Sequence, residues 1–199
     1  MTAPLEKLVH DPKRAAIASA AIDVFSERGF ARTSMAHIAA QAGMSRPALY
    51  QYFENKGDIF GFAFTALVEG AAQRALAALD EPGTISEQLE GFLQNFDGAF
   101  WERTAASPYG DELLSAKSEY APEAIGSAMT RIRRALDRYL QSIDSGKRTA
   151  AARARRKGWI DLLEFAPRGF KLDKPRVPIY RRRLSALAES IASDIESSR

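Results

Sequence analysis

The sequence predicts an all-α fold, with three short N-terminal helices joined through a fourth to a larger helical body, about nine helices in all. Three observations lead there. Apolar residues recur at steps of three and four along nearly the whole chain, no segment alternates as a strand does, and Pro, Gly, Ser, Thr and Asp interrupt the pattern at regular intervals. With 46% hydrophobic and 27% charged residues, the 199-residue chain has globular composition. A chain of this length buries roughly 70% of its unfolded surface without covalent staples.

Residues 1–10 carry Glu6 and no apolar run, so they read as a flexible leader and not as a signal peptide. Asp11-Pro12 opens helix one, because Asp caps the free amides of a first turn and Pro gives up a donor that was unpaired anyway. Ile17, Ala21, Val24 and Phe25 form its stripe, and Gly29 ends it as a left-handed residue. Thr33 or Ser34 caps a short helix two through Ala42, Gly43 breaks it, and Ser45 caps helix three. Asn55 or Asp58 begins helix four, which Glu81-Pro82-Gly83 stops. Thr84 to Glu87 opens helix five, with Ile85, Leu89, Phe92, Leu93, Phe96 and Phe100 stepping by three and four; Ser107-Pro108 ends it or starts a short sixth. Ala121-Pro122-Glu123 starts the seventh, striped by Ile125, Met129, Ile132, Leu136, Tyr139 and Ile143. The eighth spans about Thr149 to Ala166, a loop runs from Pro167 to Pro175, and the ninth carries Tyr180, Leu184, Leu187, Ile191 and Ile195.

Composition excludes several chemistries. There is no cysteine, hence no disulfide, thiol nucleophile or cysteine zinc site, which suits a reducing cytoplasm. With only His10 and His37, no metal site is expected. The longest uncharged apolar stretch, Ile59 to Val68, has ten residues where a membrane span needs about 20. No glycine-rich phosphate loop or Gly-x-Ser-x-Gly elbow is present, and Asp111 and Glu112 are adjacent in sequence and do not converge on one substrate; neither an enzyme nor a cofactor is expected. Charge is polarised along the chain. Residues 61–130 hold three basic side chains against eleven acidic, and residues 131–183 hold seventeen basic against five acidic. The basic stretch could attract nucleic acid. The plainer reading is that the two segments are adjacent helices whose exposed faces neutralise each other, with Arg153, Arg155, Arg156 and Lys157 on a solvated or salt-bridged face.

Residues 33–56 carry the most information. Two helices of about nine residues hold a shape only when a tight turn locks them at a fixed angle, the helix-turn-helix arrangement. Ala39 is small where the helices would cross, Gly43 sits where the turn needs a positive φ, and Leu49 is an inward anchor, with Ile38, Phe53 and Phe25 closing a small core. Arg46, Pro47, Ala48, Tyr50 and Gln51 are left toward the open face or flank. The second helix of such a motif lies in a DNA major groove. Tyr50 and Tyr52 offer phenolic hydroxyls to phosphates, Ser45 and Thr33 offer hydroxyls and amides at helix starts, Lys56 adds a charge, and Arg46 is the long donor suited to a guanine edge.

Gly29-Phe30-Ala31-Arg32-Thr33-Ser34-Met35, then Ile38-Ala39-x-x-Ala42-Gly43-Met44-Ser45, then Leu49-Tyr50-x-Tyr52-Phe53-x-x-Lys56 resembles the TetR family of bacterial transcriptional regulators, over about the first 60 residues. The resemblance implies a DNA-binding domain at 11–57, with Thr33, Ser45, Tyr50, Tyr52 and Lys56 on phosphates and Arg46, Pro47 and Ala48 near bases. Tyr52 stands where many members carry His. It further implies that residues 58–199 bind a small-molecule effector and form a homodimer through the last two helices, on a palindromic operator. Repression is the commoner mode of the family. Some of Phe92, Phe96, Phe100, Tyr120 and Trp159 are expected to line the effector cavity, although aromatics at this spacing equally serve a core. The rival reading is a helical interaction protein whose helix-turn-helix is structural only.

Overall fold

The structure, a computed structural model, describes residues 11–144 and 149–198; the leader expected at 1–10 lies outside the described residues, as does the side chain of Phe100. Among the described residues the regular structure is helical and no strand occurs. The helices are α1 (Pro12–Arg28), α2 (Met35–Gln41), α3 (Arg46–Tyr50), α4 (Lys56–Ala78), α5 (Ile85–Leu93), α6 (Ala99–Ala106), α7 (Gly110–Tyr120), α8 (Pro122–Ile143), α9 (Ala150–Gly169) and α10 (Val177–Ser197). A π-helical turn, Gln94–Gly98, joins α5 to α6 without a break, so these ten segments form nine continuous runs among the described residues.

The chain folds as two compact units, each assembled from two stretches of sequence. The first unites the residues up to Gly70 with Arg103–Ala128, and the second unites Ala71–Glu102 with the residues from Met129 onward. In the first unit, α1 buries Ile17, Ala18, Ala21, Val24 and Phe25, and Ala15 and Ala18 share a cluster with Ala63 and Ala66 of α4. Small residues on both sides let these helices approach closely, and the larger Ile22 and Phe62 flank the contact. The ring of Phe25 stacks on Phe30 and meets Phe60 edge-on, at centroid distances of 5.6 and 5.3 Å. Gly29 ends α1 with a positive φ of 76°, but its ψ of 169° places it in the mirror-extended region, not the left-handed helical one expected.

In the second unit α10 lies against α5 and the π turn, and α9 packs on α10. Tyr180, Leu184, Ala188, Ile191 and Ile195 form the buried line of α10, while Leu187 stands at its edge. On α8 the buried line runs Ala124, Ala128, Ile132, Leu136, Leu140; Ile125, Met129, Tyr139 and Ile143 flank it half-buried, so the stripe is rotated from the expected one. The loop expected from Pro167 starts later, because α9 continues through Pro167 to Gly169. Pro167 is buried, and its carbonyl accepts a hydrogen bond from the fully buried Tyr180 hydroxyl at 3.2 Å.

Most of the ion pairs described for the basic segment lie within it. Its five carboxylates, Asp137, Asp144, Asp161, Glu164 and Asp173, all pair with arginines of the same stretch. Among the ion pairs described, Lys171 with Asp97 (3.0 Å) and Arg181 with Glu102 (2.7 Å) reach the acidic segment. Within the run Arg153 to Lys157 the salt-bridged alternative holds for two residues: Arg156 is 5% exposed, held at 2.9 Å by Asp144, which also receives Arg155 at 3.1 Å. Burial works to raise the Asp144 carboxyl, and hydrogen bonds from Arg156 and Arg155 outweigh it, holding the group below the usual carboxylate range.

Candidate nucleic-acid interface

Helix α2 starts at Ser34. Its hydroxyl oxygen accepts the His37 amide, and the Ser34 amide donates to Nδ1 of His37, both at 3.3 Å, a reciprocal box that satisfies two donors at the helix start. Gly43, with φ of 64°, turns the chain; the Met44 amide donates to the Ala39 carbonyl at 3.0 Å. Ser45 caps α3 by accepting the Ala48 amide at 3.3 Å, which leaves its hydroxyl proton to donate outward. Leu49, Ile38, Phe53 and Phe25 are all buried, so the inward set read from spacing forms the core of this domain.

What α3 leaves outside is polar and planar. Arg46, Pro47 and Gln51 are exposed, Ala48 is half-buried, and Tyr50 is 45% exposed, one of few large hydrophobic side chains so presented among the described residues. Arg46 donates from Nη2 to the Tyr50 hydroxyl at 3.3 Å, with its guanidinium carbon 5.6 Å from the tyrosine centroid. One helical turn separates them. The contact holds two long side chains side by side on the open face, each with donors left over for a ligand. Tyr52 is half-buried, just beyond α3.

Thr33 and Lys56 are placed differently from the expectation of outward donors. Thr33 is 3% exposed and its hydroxyl donates to the Gly29 carbonyl at 2.6 Å. Lys56 spends its three ammonium protons on the carbonyls of Phe30, Ala31 and Thr33, at 2.7, 3.0 and 2.9 Å, and sits 4.6 Å from the Phe30 ring centroid. Both side chains therefore brace the turn between α1 and α2. A phosphate contact by Lys56 would have to displace at least one of these bonds.

The aromatic residues expected at a cavity are divided between the two units. Phe92 is buried on α5, Phe96 is half-buried in the π turn, and Trp159 is 3% exposed, with its indole N–H donating to Asp194 at 2.7 Å. These belong to the second unit. Tyr120 belongs to the first, where its ring lies 4.9 Å from Phe30 and 6.3 Å from Phe60. No group of three or more His, Cys, Asp or Glu able to hold a metal occurs among the described residues.

Comparison with known proteins bears on this surface directly. Residues 17–61, which span α1 to the start of α4, match the family described as bacterial regulatory proteins, tetR family. The transcriptional regulator TtgR of Pseudomonas putida is 31% identical over 149 residues, which are 74% of this chain and 68% of TtgR. The chain belongs to the TetR family. The helix-turn-helix regulator YezE of Bacillus subtilis is 31% identical over 74 residues, 37% of this chain, and the chain spans about two fifths of the length of this and the next curated relatives. A TetR-family transcriptional regulator from Mesorhizobium loti shares the fold, with a TM-score of 0.66 at 19% identity over 91% of this chain and 95% of that one. No described helix is long and apolar enough to cross a membrane.

Sequence reasoning missed three features of this region. His37 closes the α2 box, Arg32 stacks its guanidinium 4.7 Å above the Tyr109 ring, and Glu112 accepts the Ala31 amide at 2.5 Å. The first had a local signal in the spacing Ser34-x-x-His37, which resembles a capping box with His in place of Glu or Gln. The other two join residues more than seventy positions apart, and no local pattern marks them.

Proposed function

We propose that the protein is a repressor that binds a palindromic operator as a homodimer in the cytoplasm and leaves it when a small-molecule effector binds. The observation that carries the DNA reading is the paired Arg46 and Tyr50 on the open face of a capped α3. In this reading Arg46 reads a base edge, with Pro47 and Ala48 packed near the bases. Ser45, Tyr50 and Tyr52 hold phosphates, while Thr33 and Lys56 act on the shape of the turn behind them. Two copies related by two-fold symmetry would present two α3 helices to half-sites about one helical turn, ~34 Å, or a multiple apart. Support for a self-complementary surface comes from the outer side of α9, where Leu162 and Phe165 are each 49% exposed, and from Ile179 at the start of α10. Some of Phe92, Phe96, Phe100 and Trp159 of the second unit, or Tyr120 of the first, would line an effector site.

The test is selection of DNA from a random-sequence library at near-physiological salt, with Arg46→Ala and Tyr50→Ala proteins alongside. Enrichment of a palindrome by the unaltered protein, and loss of base preference in Arg46→Ala, is the expected result. Enrichment of the same palindrome by all three would remove α3 from the interface. A promoter carrying the selected sequence should then be less active in cells that make the protein; higher activity would make the protein an activator.

A further inference from the structure

Helix α7 grips the DNA-reading domain at two places, and all the residues concerned lie in the first unit. At its N-terminal end, Glu112 accepts the Ala31 amide through Oε1. Its other oxygen stands 2.5 Å from where a Cβ on Gly29 would sit, and a Tyr109 ring carbon stands at 3.0 Å from the same point. Beside it, the Ser107 hydroxyl donates to the Ser26 carbonyl at 3.0 Å, in the last turn of α1, and Arg32 lies over Tyr109. At the C-terminal end of α7, a Cβ on Gly57 would collide with the Tyr120 ring and a Cβ on Gly61 with the Tyr120 carbonyl oxygen. The same ring packs on Phe30 and Phe60. Three glycines thus make room for α7, one in the turn after α1 and two in the first turns of α4.

Ala31 is held from both sides. Its amide goes to Glu112, and Lys56 donates both to the Ala31 carbonyl and to the Phe30 carbonyl of the same peptide group as that amide, so an anionic and a cationic side chain from two different helices fix the Phe30–Ala31 peptide group in the turn that leads into α2. The amide bond to a carboxylate is charge-assisted and roughly twice as strong as a neutral one. Helix α2 in turn positions α3, which it contacts directly.

We infer that α7 is a clamp on the α1–α2 turn, and that Glu112 is a positioning residue for DNA binding, setting the angle at which α3 is offered without touching the DNA. The inference rests on the reading of α3 as the DNA-contacting helix. Glu112 is half-buried at a helix start, so its truncation should leave the fold standing while freeing the turn. A loosened turn lets the two α3 helices of a dimer sample many separations, and a duplex that demands one separation is penalised more than a single half-site.

The experiment uses the full-length protein and the duplex that it selects from a random-sequence library, with a second duplex carrying one half of that sequence. Glu112→Ala should bind the full duplex at least tenfold more weakly and the half duplex nearly as well as the unaltered protein. The dependence of affinity on salt should keep its slope, since no phosphate contact is lost. Glu112→Gln, which keeps an acceptor oxygen, should recover most of the affinity. Amide exchange at Ala31 should accelerate in Glu112→Ala, with the circular dichroism unchanged. Gly29→Ala, which presses a methyl against Glu112, should mimic the loss. Equal affinity of Glu112→Ala for the full duplex, or a changed salt slope, overturns the clamp while leaving the DNA reading intact. If the unaltered protein selects no duplex, the DNA reading fails, and the clamp fails with it.

Discussion

Lys56 shows how a residue identified by its charge can act through its geometry. Its ammonium closes three carbonyls of one turn, so Lys56→Ala leaves three acceptors without their donor and should cost about 1–3 kcal/mol of stability, read in urea unfolding, in addition to weakening DNA binding. A surface phosphate contact would lower DNA affinity alone. Asp144 and Asp97 make a second contrast. Asp144 is held below the usual range by two arginines, so the stability it contributes is present above the unfolded-state pKa and is lost as pH falls through the lower, folded-state one. Asp97 goes the other way. Burial raises its carboxyl, only partly offset by Lys171, so the folded state takes up this proton more readily and gains relative stability as pH falls through the folded-state pKa. Asp144→Asn should therefore cost about 3–5 kcal/mol by uncovering the buried Arg156, whereas Asp97→Asn should cost about 1 kcal/mol or less. Equal losses in urea unfolding at neutral pH would contradict the assignment.

At the scale of elements, the turn between α2 and α3 depends on one dihedral angle. Gly43 has φ of 64° and open space around it, so Gly43→Ala should cost about 1–2 kcal/mol purely through the backbone, and Gly43→Asn less, in thermal unfolding. That turn was legible in the sequence because everything that makes it lies within a dozen residues: Ala39, Gly43, Ser45 and Leu49 each announce a local constraint. The stripe of α8 was less so. A slow drift between steps of three and four leaves the phase of a long helix undetermined, and small Ala124 and Ala128, which apolar counting underweights, mark its buried line. The π turn at Gln94–Gly98 left no signal at all, since its amide from Ala99 reaching back to Gln94 differs from an α-helical bond by one residue. The partners of the second unit's cations were not legible for a related reason. Opposite charges pair across a helix hairpin, as Arg133 does with Asp161 and Glu164, and composition blocks do not reveal which helix will lie opposite.

For the whole molecule, the apolar outer side of α9 leads to a prediction about assembly. Leu162→Glu with Phe165→Glu should yield a folded monomer in sedimentation, with DNA affinity reduced more on a palindromic duplex than on a half-site. A dimer that survived both changes would move the interface elsewhere. The first unit has a different consequence, one that concerns how such proteins can be recombined. It is assembled from residues up to Gly70 and from Arg103–Ala128, and the bond between Ala31 and Glu112 ties the two stretches together. A gene crossover placed after the helix-turn-helix would pair one parent's Gly29, Gly57 and Gly61 with another parent's Tyr109, Glu112 and Tyr120. The first unit is therefore not a cassette that a single junction can transplant. A working chimera needs three junctions, after residues 70, 102 and 128, so that residues 103–128 travel with the first 70.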